Sequence, residues 1–359
     1  MLVRGMVALV TAAVAAMVPG VAMASPSRGD LQKDLDGVAA IGALAEVRNG
    51  AQVWRGSSGV AELGTTHKVP VAGRFRAGSI TKTFVSTVVL QLVAEGRIRL
   101  DDSVEHWLPG VVPNGENITV RELLNHTSGL YDYKNTLPMP PSEEFYALQF
   151  RTWTATEQIQ RALANPPVFK KPGSQYDYSN TNYLLVGEII KKVTGRTYAE
   201  EIERRIIRPL GLHGTTMPGA SVRIPGPHPH GYVPKDGGQL DFTEMNPTLF
   251  GAGGDIISTT HDLNRFFAAL LGGHLLPARL LAEMKQAGTE HGTYGLGLSW
   301  HDTACHVRVY GNDGDALAYQ AYSFSTADTR RQATVAVTPH LPTNPDATVD
   351  TFLDKAFCS

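Results

Sequence analysis

An α/β chain of the α+β kind is predicted: one antiparallel sheet built from both chain ends and flanked by helices, with an all-helical lobe inserted between. Three observations predict it. β-prone stretches lie near the start and return near the end, while residues from about Ile98 to Leu240 carry many Pro and Gly, several short helical patterns and few strand signals. The connections among the late strands are short, which demands antiparallel pairing. The expected division is a sheet lobe of residues 30–97 and 246–359 and a helical lobe of 98–245.

Leu31 to Ile41 reads as a helix. Gly42–Arg48 and Ala51–Ser57 read as strands joined at Asn49-Gly50, a strong two-residue hairpin signal. Ser79 to Glu95 is apolar nearly all round (Phe84, Val85, Val88, Val89, Leu90, Leu92, Val93) and stops at Gly96, the pattern of a buried helix with a glycine C-cap. Thr119 with Glu122 forms a capping box ahead of Val120, Leu123 and Leu124. Helices follow at Asn182–Thr194 and Tyr198–Ile207, parted by Gly195, then at Leu263–Leu271 and Leu280–Lys285. Strands resume at Tyr294–His301, Cys305–Tyr310, Ala316–Ser325 and Gln332–Thr338, and a helix at Ala347–Phe357 closes the chain.

The beginning of the chain is processing signal rather than fold. Arg4 is a short positive region, Val7 to Val18 is almost unbroken apolar sequence, and Ala22-Met23-Ala24 has the A-x-A form of a cleavage site. Residues 1–24 are therefore expected to be a secretory signal peptide, leaving 25–359 as the mature, extracellular domain. The apolar run is too short to span a bilayer, and no later stretch approaches the roughly 20 apolar residues a span requires. Export makes Cys305 and Cys358 most simply a structural disulfide. Two cysteines also exclude a four-cysteine zinc site. With 32 Lys+Arg against 34 Asp+Glu, the chain has no basic surplus for counterion-driven binding to nucleic acid.

Among nucleophile patterns, Gly56-Ser57-Ser58-Gly59 lacks the spacing of a G-x-S-x-G elbow. No H-E-x-x-H occurs, and His228-Pro229-His230 reads as loop, so neither metal nor cofactor is expected. What remains is Ser79-Ile80-Thr81-Lys82 at the start of the apolar helix. Positions i and i+3 share a helix face, so the Ser79 hydroxyl and the Lys82 amine can meet. A serine needs a base to become a nucleophile, and burial with the helix dipole lowers a lysine pKa enough to serve. Tyr178-Ser179-Asn180 adds a phenol that, beside an ammonium, is expected to titrate low and shuttle a proton, and an amide that can hold an acyl group. Tyr133-Lys134-Asn135 is a competing Y-x-N that lacks the Pro172-Gly173 turn and the following helix.

Phe75-Arg76-Ala77-Gly78-Ser79-Ile80-Thr81-Lys82 resembles the nucleophile box of the serine β-lactamase and penicillin-binding superfamily. Leu123-Leu124-Asn125-His126-Thr127-Ser128-Gly129-Leu130, the Pro-Gly…Tyr-Ser-Asn segment and Ala252-Gly253-Gly254-Asp255-Ile256-Ile257-Ser258-Thr259 are similar to its class C-like branch, in order and spacing over nearly the whole mature chain. Within that branch the chain resembles the secreted D-alanyl-D-alanine carboxypeptidases of actinomycetes, including their late cysteine pair. The resemblance implies a β-lactamase-like fold with Ser79, Lys82 and Tyr178 as catalytic residues, Asn180 as a substrate contact, and an oxyanion hole from the amides of Ser79 and Asp315. It implies a small-molecule or peptide substrate, peptidoglycan-like among others, and a monomer.

The departure lies in the third box. Relatives place a basic residue, usually Thr, then Gly on the strand opposite the nucleophile; here Asn312-Asp313-Gly314-Asp315 stands in the substrate-binding position. Asn312 removes the cation, and Asp313 and Asp315 replace hydroxyls that receive a substrate carboxylate. Leu298-Ser299-Trp300 occupies the place of an Arg in the preceding strand. A carboxypeptidase-like serine hydrolase with altered leaving-group preference is therefore expected, with esterase, D-amino-acid peptidase, β-lactamase and a non-catalytic peptide- or peptidoglycan-binding relative as alternatives.

Overall fold

The computed structural model describes residues 28–341 and 343–358; the expected signal segment 1–24 lies outside them. Helix α1 (Arg28–Asp36) ends earlier than its pattern suggested. Ala40 and Ile41 belong instead to strand β1 (Ala40–Asn49), because Ala40 already pairs across the sheet with Pro339. Strand β2 (Gln52–Gly59) returns through Gly50-Ala51, one residue beyond the expected turn, since Asn49 pairs with Gln52. Gly50 supplies the positive φ (58°) that a tight hairpin turn needs.

Strand β3 (Phe75–Arg76) leads into helix α2 (Ile80–Ala94). Every residue of α2 from Ile80 to Leu90 is buried, as its all-round apolarity demanded. Helix α3 (Val120–Leu124) carries the full Thr119–Glu122 capping box. Helix α4 (Asn180–Thr194) stops at Gly195, whose φ of 75° suits a left-handed C-cap.

The inserted region is not all helix. Strands β4 (Tyr232–Lys235) and β5 (Gly238–Asp241) form a hairpin within it. Asp236 and Gly237 both take positive φ (50° and 73°), the requirement of a type I′ turn, so this Asp-Gly pair was a legible hairpin signal. Strand β6 (Ile257–Ser258) pairs with β3 and precedes helix α5 (Thr260–Leu271).

The remaining strands are β7 (Ser299–Asp302), β8 (Arg308–Asp315), β9 (Gln320–Thr326) and β10 (Arg331–Pro339), followed by helix α6 (Asp346–Cys358). They complete a six-stranded antiparallel sheet in the order β2-β1-β10-β9-β8-β7, built from both chain ends. One face packs on α1 and α6, the other on α5, α2 and the helical lobe. Phe84 of α2 stacks on Phe266 of α5 with centroids 3.6 Å apart, and truncating such a ring to Ala costs about 3–5 kcal/mol.

Cys305 lies in the turn before β8 rather than in a strand. Its disulfide to Cys358 pins that turn to the end of α6, with Cα atoms 5.6 Å apart. No described helix is long and apolar enough to cross a membrane.

Candidate active site

Ser79 is the N-cap residue of α2, yet its hydroxyl makes no capping bond. Gly78 before it takes a φ of 53°, and a Cβ there would stand 2.7 Å from the Asp315 amide nitrogen. A Cβ on Gly314 would lie 2.0 Å from the Ala77 carbonyl and 2.8 Å from the Ser79 nitrogen. Both glycines thus let the end of β8 rest directly on the backbone at Ser79, which brings the amides of Ser79 and Asp315 to one place.

Lys82 is fully buried one helical turn on. Its Nζ reaches three oxygens: Ser79 Oγ at 3.0 Å, Asn180 Oδ1 at 2.8 Å and the Gly253 carbonyl at 2.7 Å. Desolvation, and then the positive charge of Lys134, pushes its pKa down to about 7, against the pull of Asp132 and Asp313. A neutral amine donates to Asn180 and Gly253 and turns its lone pair to the Ser79 hydroxyl, the arrangement of a general base.

The Tyr178 hydroxyl donates to Ser79 Oγ at 2.7 Å. Here the expectation of a low-titrating phenol fails. Burial, reinforced by the Asp313 charge, holds the phenol well above its usual range despite the bond to Ser79, and Asn312 offers no cation to reverse this. Tyr178 therefore stands as a proton donor at neutral pH. Asn180 bridges Lys82 and Asp132: its Nδ2 donates to Asp132 Oδ2 at 2.7 Å, which fixes the amide's orientation.

The third-box residues divide by strand alternation. Asn312 is buried toward α2 and donates to Thr83 Oγ1 at 3.3 Å; Gly314 faces the nucleophile turn. Asp313 borders a cavity with Tyr322 and Asp346 on the side of α6, and crowding of its carboxyl by the protein around that cavity, then the Asp346 charge, raises its pKa. Its charge still acts on Lys82 and Tyr178. The Asp315 carboxylate accepts from the Leu317 amide at 2.7 Å and closes a turn. Two carboxylates facing a substrate carboxylate, as expected from sequence, reduce to one whose influence is exerted through space. Ser299 of β7 donates to the Gly311 carbonyl at 3.1 Å, so the preceding strand supplies no cation at that point.

Three participants had no assigned role in the sequence reading. Gly253 and Asp132 act through a carbonyl and a carboxylate that only tertiary contact reveals. His126, within the Leu123–Leu130 segment, lies buried against Tyr178 and carries a positive φ of 59°. The competing Tyr133 is structural: its hydroxyl donates to the Leu249 carbonyl at 2.6 Å.

Compared with known proteins, the chain matches the family described as Beta-lactamase over residues 12–357. It is similar to a D-stereospecific amidohydrolase from Streptomyces sp., with 37% identity and a TM-score of 0.84 over 93% of this chain and 99% of that one. The D-amino acid amidase from Ochrobactrum anthropi SV3, solved with D-phenylalanine, aligns at 27% identity and a TM-score of 0.78 over 90% of this chain and 97% of its own. In sequence, penicillin-binding protein 4* of Bacillus subtilis is 29% identical over 249 residues, 64% of this chain and 52% of the relative. Penicillin-binding protein 4 of Amycolatopsis lactamdurans is 29% identical over 278 residues, 72% of this chain and 70% of the relative. The chain thus spans about half the length of the Bacillus protein.

Proposed function

Because this chain belongs to the beta-lactamase family of serine hydrolases, we propose that it is an exported hydrolase of amides and esters, D-amino-acid amides foremost, working through an acyl-serine intermediate. The single observation that carries the mechanism is Ser79 Oγ held between a buried amine with pKa about 7 and a phenol kept protonated. Lys82 takes the proton as Ser79 Oγ attacks the carbonyl carbon. The amides of Ser79 and Asp315 receive the charge that develops on the carbonyl oxygen. Tyr178 passes a proton to the leaving nitrogen or oxygen, and the proton that Lys82 took from Ser79 then restores the phenol. Water then attacks the acyl-serine along the same path in reverse, releasing the acid.

Two features support the substrate class. The Streptomyces neighbour is named for D-stereospecific amide hydrolysis and matches over nearly its full length. The third box on β8 lacks the cation that a free carboxylate leaving group needs, because Asn312 is uncharged and Asp313 repels. Intact mass after incubation with a fluorescent penicillin or an activated ester is expected to show an adduct that Ser79→Ala abolishes, and D-amino-acid amides are expected to turn over faster than their L-enantiomers. Absence of an adduct with every acyl donor overturns the mechanism; preference for L-amides overturns the substrate class.

A further inference from the structure

The Gly253 carbonyl that accepts from Lys82 belongs to a turn, Gly251–Asp255, with three glycines in five residues. The close approach requires them. Gly251 takes a φ of 48°, and a Cβ on Gly253 would crowd Asn180 Oδ1 at 3.3 Å and stand 3.5 Å from Lys82 Nζ. Such a backbone comes near its partner easily but holds its place poorly, because glycine loses the most conformational freedom on ordering. A cavity of about 180 Å³ borders Gly251, Ala252, Asp255 and Tyr198, so side-chain packing backs the turn only in part. The entry is tied where the Leu249 carbonyl accepts from the Tyr133 hydroxyl at 2.6 Å and from Gln158 Nε2 at 2.7 Å. The exit is tied where the Ile256 amide donates to Thr81 Oγ1 at 3.1 Å. Between them, Asp255 is the only residue of the turn whose side chain can form a hydrogen bond. That carboxyl is buried, and its Oδ2 accepts from the Tyr198 hydroxyl at 2.5 Å. Tyr198 opens the short helix Tyr198–Ile202, itself fixed by a Thr197–Glu200 capping box. A Cβ on Gly187 of α4 would lie 3.0 Å from Ala252 Cβ and 3.2 Å from the Tyr198 ring, so this glycine lets turn and ring pack side by side.

We propose that Asp255 and Tyr198 are positioning residues for the general base: their bond fixes the turn, and the turn fixes the Gly253 carbonyl against the Lys82 amine. Burying a carboxyl costs free energy unless it is hydrogen-bonded, so its place beside an otherwise apolar, glycine-rich turn calls for a use. The acyl-transfer steps themselves employ neither residue. Lys82 Nζ meets three oxygens, and with Asn180 and Gly253 accepting its N–H groups the lone pair is left for the Ser79 hydroxyl. A Gly253 carbonyl that swings away deprives one N–H of its acceptor and leaves the lone pair without a fixed direction. The cost falls on the rate of acylation rather than on substrate affinity, because the pair directs the base and adds no group to the substrate. This role rests on the one proposed above for Lys82.

Two measurements on the same variants test it: hydrogen exchange over the turn, read by mass spectrometry, and stopped-flow acylation by p-nitrophenyl acetate. The amides of Gly253 and Gly254 bond to the carbonyls of Phe250 and Gly251, and in Tyr198→Phe they are expected to exchange about tenfold faster than in the parent. The acylation rate at saturating ester is expected to fall about tenfold while the apparent dissociation constant of the ester stays within about twofold. Raising the pH is not expected to restore the rate, since the lysine is misplaced rather than protonated. The double variant Tyr198→Phe with Asp255→Leu removes the buried carboxyl that the single change strands. It is expected to recover thermal stability while acylation stays slow. Unchanged exchange at the turn in Tyr198→Phe overturns the clamp. Faster exchange with a parental acylation rate overturns the positioning role, and so does a rate that returns with stability in the double variant. A parent that forms no Ser79-dependent adduct overturns the hydrolytic reading, and the positioning role with it; a parent that forms one leaves only the positioning role to the variants.

Discussion

The imidazole of His126 lies against the phenol ring of Tyr178, with centroids 4.2 Å apart and planes inclined by 31°. The backbone on both sides of Tyr178 hangs from the same residue. The Asp177 amide donates to the His126 carbonyl at 2.9 Å, and the Ser179 amide donates to His126 Nδ1 at 3.2 Å. Burial, and then the Lys82 charge, keeps the ring neutral, so that Nδ1 stays an acceptor. His126 is thus a positioning residue for Tyr178.

Replacing it tests that role. His126→Phe keeps a ring against Tyr178 but loses the acceptor. It is expected to lower kcat by about tenfold or more with KM changed little, since a misplaced proton donor hurts the transition state rather than binding. His126→Asn supplies an acceptor and tolerates the left-handed backbone, and is expected to recover part of the loss. Equal kcat in the Phe variant and the parent would reduce His126 to packing.

On the proposed mechanism the lysine sets the pH profile. Its amine must be unprotonated to act, so the acylation rate is expected to rise with pH through about 7 and level off above. Lys134→Ala removes a like charge and moves the midpoint up; Asp313→Asn removes an opposite charge and moves it down. Stopped-flow acylation by an activated ester across pH reads both shifts. The same depression has a sign for stability. Between about 7 and 10.5 the unfolded chain holds this proton and the folded chain does not, so Lys82 contributes increasing stability as pH climbs through that window.

Leaving-group charge is the next expectation. Acyl-D-Ala-D-Ala should react more slowly than its neutral amide, because the Asp313 charge acts on the site through space and no third-box cation offsets it. Asp313→Thr combined with Asn312→His is expected to shift selectivity toward the free carboxylate by a factor of about ten to a hundred. Asp315 is left in place because its carboxylate closes the turn at Leu317. A parent protein that prefers the free carboxylate would show that Asp313 acts only on solvent.

The disulfide should matter to stability and not to chemistry. Cys305 and Cys358 are 53 residues apart in sequence, and closing such a loop stabilises by about 4 kcal/mol on the chain-entropy estimate. The double Ser variant is expected to lose that much in chemical denaturation while its acylation rate under folding conditions stays within about twofold. A large loss of rate would tie α6 to the site through the Asp313 cavity.

The pattern of the chain alone determined the buried central helix, the capping box at Thr119, the assembly of one sheet from both ends, and the meeting of Ser79 with Lys82. The helix, the cap and the Ser79–Lys82 pairing rest on short-range spacing, and the sheet on where strand signals fall along the chain, and none of these needs knowledge of particular distant contacts. Tertiary structure decided the rest. Whether Asp313 and Asp315 face the nucleophile depends on strand phase, where a shift of one residue exchanges faces. The acceptors that hold Lys82, Asn180 and Gly253, are 98 and 171 residues away in sequence. Tyr178 resists ionisation and Lys82 gives up its proton for one reason: burial penalises the charged form of each group, and burial exists only once the lobes have packed.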